Sequence, residues 1–387
     1  MFHLLHPEEQ ADLLKRGFTR RSFGRITTLL TAGAALPFYN EAALAQRAGM
    51  RRGMFDIPPD AVRISSNENP MGPCPEAADA MHNIIQKGGY YGWKEPFELV
   101  QAVSEVEGVK KEYVMPFAGS SDPLHRAVMA FCSPTKSFVM SDPGYEAGGG
   151  SAQFIGAKVI RVPLLKNHVH DVKAMVKADP NAGVIYICNP NNPTGTTTPK
   201  SDIEWALANK PAGTLLLLDE AYIHISREWE NRNSDLVAAD KEIMILRTFS
   251  KLYGMAGLRA GLAMARPDLL QKLQPWGVGF TPVTGMVGAA ASVKSKNLVP
   301  ERRKIIRDIR EDVFSFLDKH NFSYIASDSN CFMVDVKRPA QEFAKAMMQQ
   351  KVMVGRSWPI WPNYSRITMG SKSDMEKFKE AFLKVMA

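Results

Sequence analysis

Between Lys136 and Ala265 the chain carries a series of short apolar runs in which polar and apolar side chains do not alternate: Ser137–Ser141, Val159–Pro163, Val184–Cys188, Leu215–Leu218, Met244–Arg247 and Ala260–Ala263. Each is too short for a helix. A strand with one wet face alternates with a period of two, so a strand that is apolar throughout must be covered on both faces. Helical stretches separate the runs, for example Lys200–Ala208 after a Thr-Pro start. Buried strands alternating with helices predict a mostly parallel sheet in an α/β arrangement. After Pro282 the texture changes. Two long helical segments, Val283–Ser295 and Pro300–His320, lead into strand-like Ser323–Ile325 and Cys331–Val336. A helix at Ala340–Gln350, strand-like Lys351–Val354 and Ser365–Met369, and a final helix at Ser373–Val385 complete an α+β tail.

At 387 residues the chain exceeds what one core usually organises. The pattern predicts a large α/β domain over 85–290 and a smaller domain built from 46–84 and 291–387. Residues 1–45 have another character. Arg20-Arg21-Ser22-Phe23 precedes an apolar stretch, Ile26–Phe38, and then a small-x-small site at Ala43-Leu44-Ala45. Basic region, apolar region and cleavage site in that order read as a signal peptide, and the paired arginines resemble a twin-arginine export signal. The 13-residue stretch is too short to span a bilayer, which takes about 20 residues. The expected location is therefore periplasmic or otherwise exported, with no stable membrane anchor. The net charge of +8 is spread without a run of five Lys or Arg, which argues against a nucleic-acid partner. The four cysteines have no metal-binding spacing, so no metal is expected.

In a parallel α/β sheet, ligands bind beyond the carboxyl ends of the strands. Here those ends are polar. Val184–Cys188 runs into Asn189-Pro190-Asn191-Asn192-Pro193-Thr194-Gly195, Leu215–Leu218 into Asp219-Glu220-Ala221-Tyr222, and Met244–Arg247 into Thr248-Phe249-Ser250-Lys251. Gly119-Ser120-Ser121-Asp122 opens a further helix. Each alone reads as an ordinary turn, a helix cap or a solvated charge. Together, in this order and at these strand ends, they read as one binding rim.

The rim resembles that of fold-type I pyridoxal-phosphate enzymes, specifically class I/II aminotransferases of the histidinol-phosphate aminotransferase type. The resemblance rests on Ser66-Asn67-Glu68-Asn69-Pro70-Met71-Gly72-Pro73, Gly119 to Asp122, Asp142-Pro143-Gly144-Tyr145 and Asn189 to Gly195. It continues through Asp219 to Tyr222, Ser250-Lys251-Leu252-Tyr253-Gly254-Met255-Ala256-Gly257-Leu258-Arg259-Ala260-Gly261, and Arg366-Ile367-Thr368-Met369-Gly370. It implies a fold-type I transferase, with a large mostly parallel-sheet domain and a smaller α+β domain. The implied activity is transfer of an amino group between an amino acid and a 2-oxo acid, with pyridoxal 5'-phosphate as cofactor.

The resemblance also implies residue roles. Lys251 would hold the cofactor as a Schiff base and shuttle the proton. Asp219 would keep the ring nitrogen protonated, Asn192 and Tyr222 would donate to the ring oxygen, and Tyr145 would stack on the ring. Ser120, Ser121, Asp122, Thr248, Ser250 and Arg259 would cup the phosphate. A tyrosine of the partner subunit reaches the phosphate in this family. Tyr91 fits that spacing, without the arginine that usually precedes it, and implies a homodimer with a shared site. Arg366 would grip the substrate carboxylate. Arg356 lies near the family's phosphate-gripping arginine, but its surroundings, Gly355 and the two tryptophans Trp358 and Trp361, depart from the pattern. Trp358, Trp361 and Tyr364 read equally as pocket lining or as packing.

Two other readings compete. A decarboxylase or oxidase of the same fold would share nearly all these residues, although Arg366 favours transamination. A non-catalytic cofactor-binding regulator would bring a helix-turn-helix segment, and none is present.

Overall fold

The computed structural model describes residues 6–22, 24, 26, 41, 57–277 and 279–387. The leader's apolar stretch beyond Ile26 and the site at Ala43–Ala45 lie outside the described residues. The helix Pro7–Lys15 precedes a docked turn. There Arg16 Nη2 donates to the Met129 carbonyl at 2.6 Å, and Phe18 is buried in the main core.

After β1 (Val62–Ile64), a seven-stranded sheet is built from β2 (Val114–Phe117), β3 (Ser137–Asp142), β4 (Val159–Pro163), β5 (Ala182–Cys188), β6 (Leu215–Asp219), β7 (Ile243–Thr248) and β8 (Gly261–Met264). The spatial order is β2-β8-β7-β6-β5-β3-β4. From β4 to β7 neighbouring strands are parallel. Every residue of β5, β6 and β7 is buried, as expected for runs that show no alternation. β8 is antiparallel to both β7 and β2. The connection from Thr248 to Gly261 contains one short 3-10 turn and no crossover helix, so the chain returns in the opposite direction. β2 escapes the sequence pattern because Pro116 interrupts it, and at the sheet edge a missing N–H is tolerated.

The tail forms two small sheets. β9 (Tyr324–Ile325), β10 (Cys331–Asp335) and β12 (Tyr364–Thr368) are antiparallel, and β11 (Val352–Val354) pairs in parallel with β1. Two apolar cores result. The larger gathers the central sheet with Ala77 and Met81 of the helix Pro75–Ile85. The smaller gathers Val62, Ile64, Phe343, Phe378 and Phe382. The helix Leu298–Lys319 supplies Ile306 to the first and Val313 and Leu317 to the second.

A buried charge network braces the large sheet under its rim. Arg247 on β7 donates through Nε to Glu220 Oε2 at 2.7 Å and through Nη1 to Glu107 Oε1 at 3.1 Å. Glu220 also accepts from Asn233, and Glu107 from Arg232. Arg247 is 3% exposed and Glu220 is fully buried. Removing one partner of such a network leaves uncompensated charge in a low-dielectric interior. Arg247→Ala is therefore expected to destabilise the protein by about 3–5 kcal/mol, read as a lower midpoint of urea unfolding.

Candidate active site

β3, β5, β6 and β7 end on one rim, at Asp142, Cys188, Asp219 and Thr248. The loops beyond them enclose a cavity of about 310 Å³. Its walls bring together Ser120, Ser121, Tyr145, Asn192, Asp219, Tyr222, Thr248, Ser250, Lys251 and Arg259, all expected from the sequence.

Lys251 lies in the loop after β7 and is 8% exposed. Its Nζ is 3.5 Å from the Ser66 carbonyl and 5.6 Å from the centre of the Tyr222 ring. Burial lowers its pKa and so favours the neutral, nucleophilic amine. Asp219 closes β6. Its Oδ2 accepts from the Tyr186 hydroxyl at 2.8 Å and its Oδ1 from the Ala221 N–H at 3.1 Å. Burial nevertheless pushes its carboxyl up to about 6. Tyr222 is fixed by Asn67, whose Nδ2 donates to the phenol oxygen at 2.9 Å. Asn67 has a φ of 54°, and Thr368 of β12 donates to its Oδ1, so both domains position this tyrosine.

At the other end of the cavity Thr248 Oγ1 donates to Ser250 Oγ at 2.9 Å, and Arg259 Nη1 lies 3.4 Å from the same Ser250 oxygen. Arg259 Nη2 donates to the Ala118 carbonyl at 3.0 Å. Gly119 is indispensable to this cup. Its φ is +91°, and a Cβ there would meet Arg259 Nη2 at 2.2 Å. The helix Ser121–Phe131 starts here, with leading amides that no intrahelical carbonyl can satisfy. Hydroxyls, a guanidinium and a helix N-terminus make a site for a phosphate. A buried carboxylate sits across from an amine of lowered pKa. This set fits pyridoxal phosphate along its whole length.

Other expected residues are placed differently. Asp122 turns its carboxylate to Arg126, with 2.6 and 2.9 Å contacts, and does not line the cavity. Only its backbone remains near the cup. Tyr91 is 74% exposed and stacks on Phe280 at 4.9 Å, outside the cavity. Arg366 is fully buried on β12. It donates through Nη1 to Asn192 Oδ1 at 2.9 Å and through Nη2 to the Ser65 carbonyl at 2.7 Å. Gly355 lets the two arginines converge, because a Cβ there would meet the Arg366 carbonyl oxygen at 2.4 Å. Trp358 is packed between them, with its ring centre 4.0 Å from the Arg356 guanidinium carbon and 5.6 Å from that of Arg366.

Glu41, Tyr186 and Glu146 went unnoticed in the sequence. Glu41 lies within residues 1–45, the segment expected to be an export signal, and is 8% exposed. Its Oε1 is 2.6 Å from Arg366 Nη2 and 3.6 Å from Arg356 Nε, while its Oε2 accepts from Asn192 Nδ2 at 3.0 Å. Burial opposes its charge, but the two guanidiniums outweigh that and hold the carboxyl at about 2. Tyr186 had a faint signal: a tyrosine in an otherwise aliphatic strand needs a partner for its hydroxyl.

Asp219 makes the cofactor-free protein sensitive to pH. A carboxyl raised to about 6 in the folded state contributes stability that is complete below its unfolded value, about 4, and is lost as the pH rises through the folded value. Asp219→Asn should remove this slope. The expected difference between wild type and variant changes by up to about 2–3 kcal/mol between acid and neutral pH, measured by urea unfolding of the cofactor-free proteins.

The model of the family "Aminotransferase class I and II" matches residues 59–382. A histidinol-phosphate aminotransferase from Moorella thermoacetica is 30% identical over 337 residues, covering 85% of this chain and 86% of that protein. Histidinol-phosphate aminotransferase 1 from Nitrosococcus oceani is 32% identical over 332 residues, covering 82% of this chain and 87% of that protein. The crystal structure of histidinol-phosphate aminotransferase from Sinorhizobium meliloti, in complex with pyridoxal-5'-phosphate, shares the fold. Its TM-score is 0.78 at 24% identity, covering 91% of this chain and 95% of that one. With this match across its body and a site that fits the cofactor, the chain belongs to the class I and II aminotransferases and is a pyridoxal-phosphate-dependent enzyme.

Proposed function

We propose that this aminotransferase is an exported homodimer in which Lys251 carries the cofactor and Arg366 receives the carboxylate of an amino-acid substrate. The observation that carries the reading is the placement of Lys251 in a cavity that has Asp219 and Glu41 in its wall, with the Glu41 carboxylate on Arg366. A carboxylate is thus accommodated beside the reactive amine. That favours a reaction that keeps the carboxylate over one that expels it.

The bound cofactor supplies an electron sink for the pair of electrons left at the substrate Cα. The chain's own groups do the rest. Lys251 Nζ, with its pKa lowered by burial, takes the Cα proton and returns it during transfer. Asp219 would give a charge-assisted hydrogen bond to the ring nitrogen. Tyr222 and Asn192 would orient the ring oxygen, and Tyr145 would cover the ring. The hydroxyls of Ser120, Ser121, Thr248 and Ser250 would hold the phosphate with Arg259. Arg366, already held by Ser65 and Asn192, would fix the substrate carboxylate in the position that Glu41 leaves.

Dimerisation is supported by an exposed aromatic patch. Tyr90, Tyr91, Trp93, Phe97 and Phe280 are each more than half exposed, and Tyr91 and Trp93 both contact Phe280. A patch of this kind marks a protein interface. It would carry Tyr91 toward a partner's phosphate cup. Export is supported by the order of Arg20-Arg21, apolar stretch and Ala43-Leu44-Ala45. It also argues against service in histidine synthesis, whose intermediates are cytosolic.

Borohydride treatment of the loaded wild-type protein should fix cofactor to Lys251, and Lys251→Ala should leave none attached. Cofactor fixed at another lysine, seen by peptide mass, would overturn the assignment. Replacing Arg20-Arg21 with Lys-Lys should retain the protein in the cytoplasm with residues 1–45 attached. An unchanged location by cell fractionation would remove the export reading.

A further inference from the structure

The second arginine of the pocket is already engaged. Arg356 is 8% exposed and donates through Nη1 and Nη2 to the two carboxylate oxygens of Glu146, at 2.8 and 2.7 Å. We propose that Glu146 sets the side-chain specificity of the enzyme: by taking both terminal nitrogens of Arg356 it turns away amino acids with anionic side chains and admits neutral ones. This rests on the reading of Arg366 as the holder of the α-carboxylate.

Glu41 marks how a carboxylate is received. It lies on Arg366 and Asn192 and meets only the Nε edge of Arg356. The Nη1–Nη2 end of Arg356 is one of the guanidinium's forked edges that suit a carboxylate or phosphate. Glu146 occupies that edge. The pair is also immobilised. Arg356 lies on the Trp358 ring at 4.0 Å, and the Trp358 indole N–H donates to the Gly144 carbonyl at 2.9 Å, two residues before Glu146. Neither partner can swing away without breaking the loop of contacts. Glu146 is the more exposed member, at 28% against 6% for the Arg356 side chain. An arriving side chain therefore meets a carboxylate first, and its partner arginine is neutralised. Neither Glu146 nor Arg356 lines the cavity itself, but Glu146 follows Tyr145 and Arg356 Nε lies 3.6 Å from Glu41, both of them walls of the cavity, so the pair stands directly behind that wall.

The test compares kcat/KM for alanine and phenylalanine with that for aspartate, glutamate and phosphoserine. Wild type should favour the neutral pair. Glu146→Gln keeps the shape and removes the charge. It should raise the anionic-to-neutral ratio by about 10-fold or more. Glu146→Asp should retain the wild-type ranking, and adding Arg356→Ala to Glu146→Gln should cancel the gain. An unchanged ratio in Glu146→Gln, or a wild type that prefers aspartate to alanine, would overturn the proposal. Arg366→Ala tests the underlying reading separately, because it should depress all five substrates alike.

A different contact carries a second inference. We infer that the leader, while attached, competes with substrate for Arg366. The Glu41 carboxylate occupies the carboxylate position, and the turn at Arg16–Phe18 is docked on the main core, so the leader touches the body at two separated places. In the full-length chain Glu41→Ala should lower KM for every amino acid by about 10-fold with kcat little changed, the signature of a removed competitor. An unchanged KM would overturn the inference, and an unchanged thermal midpoint would confirm that the variant is folded.

Discussion

A sheet buried on both faces leaves polar groups only its ends, and everything this protein does follows from that constraint. β5, β6 and β7 are sealed along their length, so charge is pushed to their carboxyl ends: Asp219 closes β6, Arg247 is the last residue but one of β7, and the loops beyond carry Asn192 and Lys251. They appear together, on one rim. Low dielectric there raises the carboxyl of Asp219 and lowers the amine of Lys251. Two groups that would be an ordinary anion and cation in water become a tunable pair. The neighbouring network of Arg247, Glu220 and Glu107 pairs the buried charges beneath the rim.

The smaller domain completes the site from the other side. Arg366 and Thr368 sit on β12 and Asn67 follows β1: Arg366 reaches Asn192 of the large domain, and Asn67, held by Thr368, reaches Tyr222. A fully buried guanidinium needs several acceptors, and Arg366 finds them in Ser65, Asn192 and Glu41. The same interactions that join the domains therefore hold Arg366 in place. Arg356 belongs to this arrangement but plays a different part, since Glu146 and Trp358 hold it sideways to Arg366.

Much of this was legible from local patterns. The apolar runs located β3 to β8 to within about two residues, because burial on both faces leaves a continuous signature. The helices after Pro282 were equally plain. The polar strand ends identified the rim and its chemistry, and the cavity collects nearly all of them. Legibility failed where a local rule was broken or absent. Pro116 hid β2, and the reversal of β8 depended on a connection too irregular to read.

By itself, the amino-acid sequence determined the class of fold, the family, the cofactor and the order of the residues around it. These depend on periodicity and on short motifs, which are properties of neighbouring residues. Only the tertiary structure decided which charges meet. Glu146 and Arg356 are 210 positions apart, Asn192 and Arg366 are 174 apart, and Glu41 reaches Asn192 across 151. Whether such residues pair depends on how two domains dock and on the register of β1, β11 and β12. The physical reason is that a carboxylate or guanidinium carries no mark of its partner along the chain. Its role is settled when burial removes water and leaves one countercharge within reach.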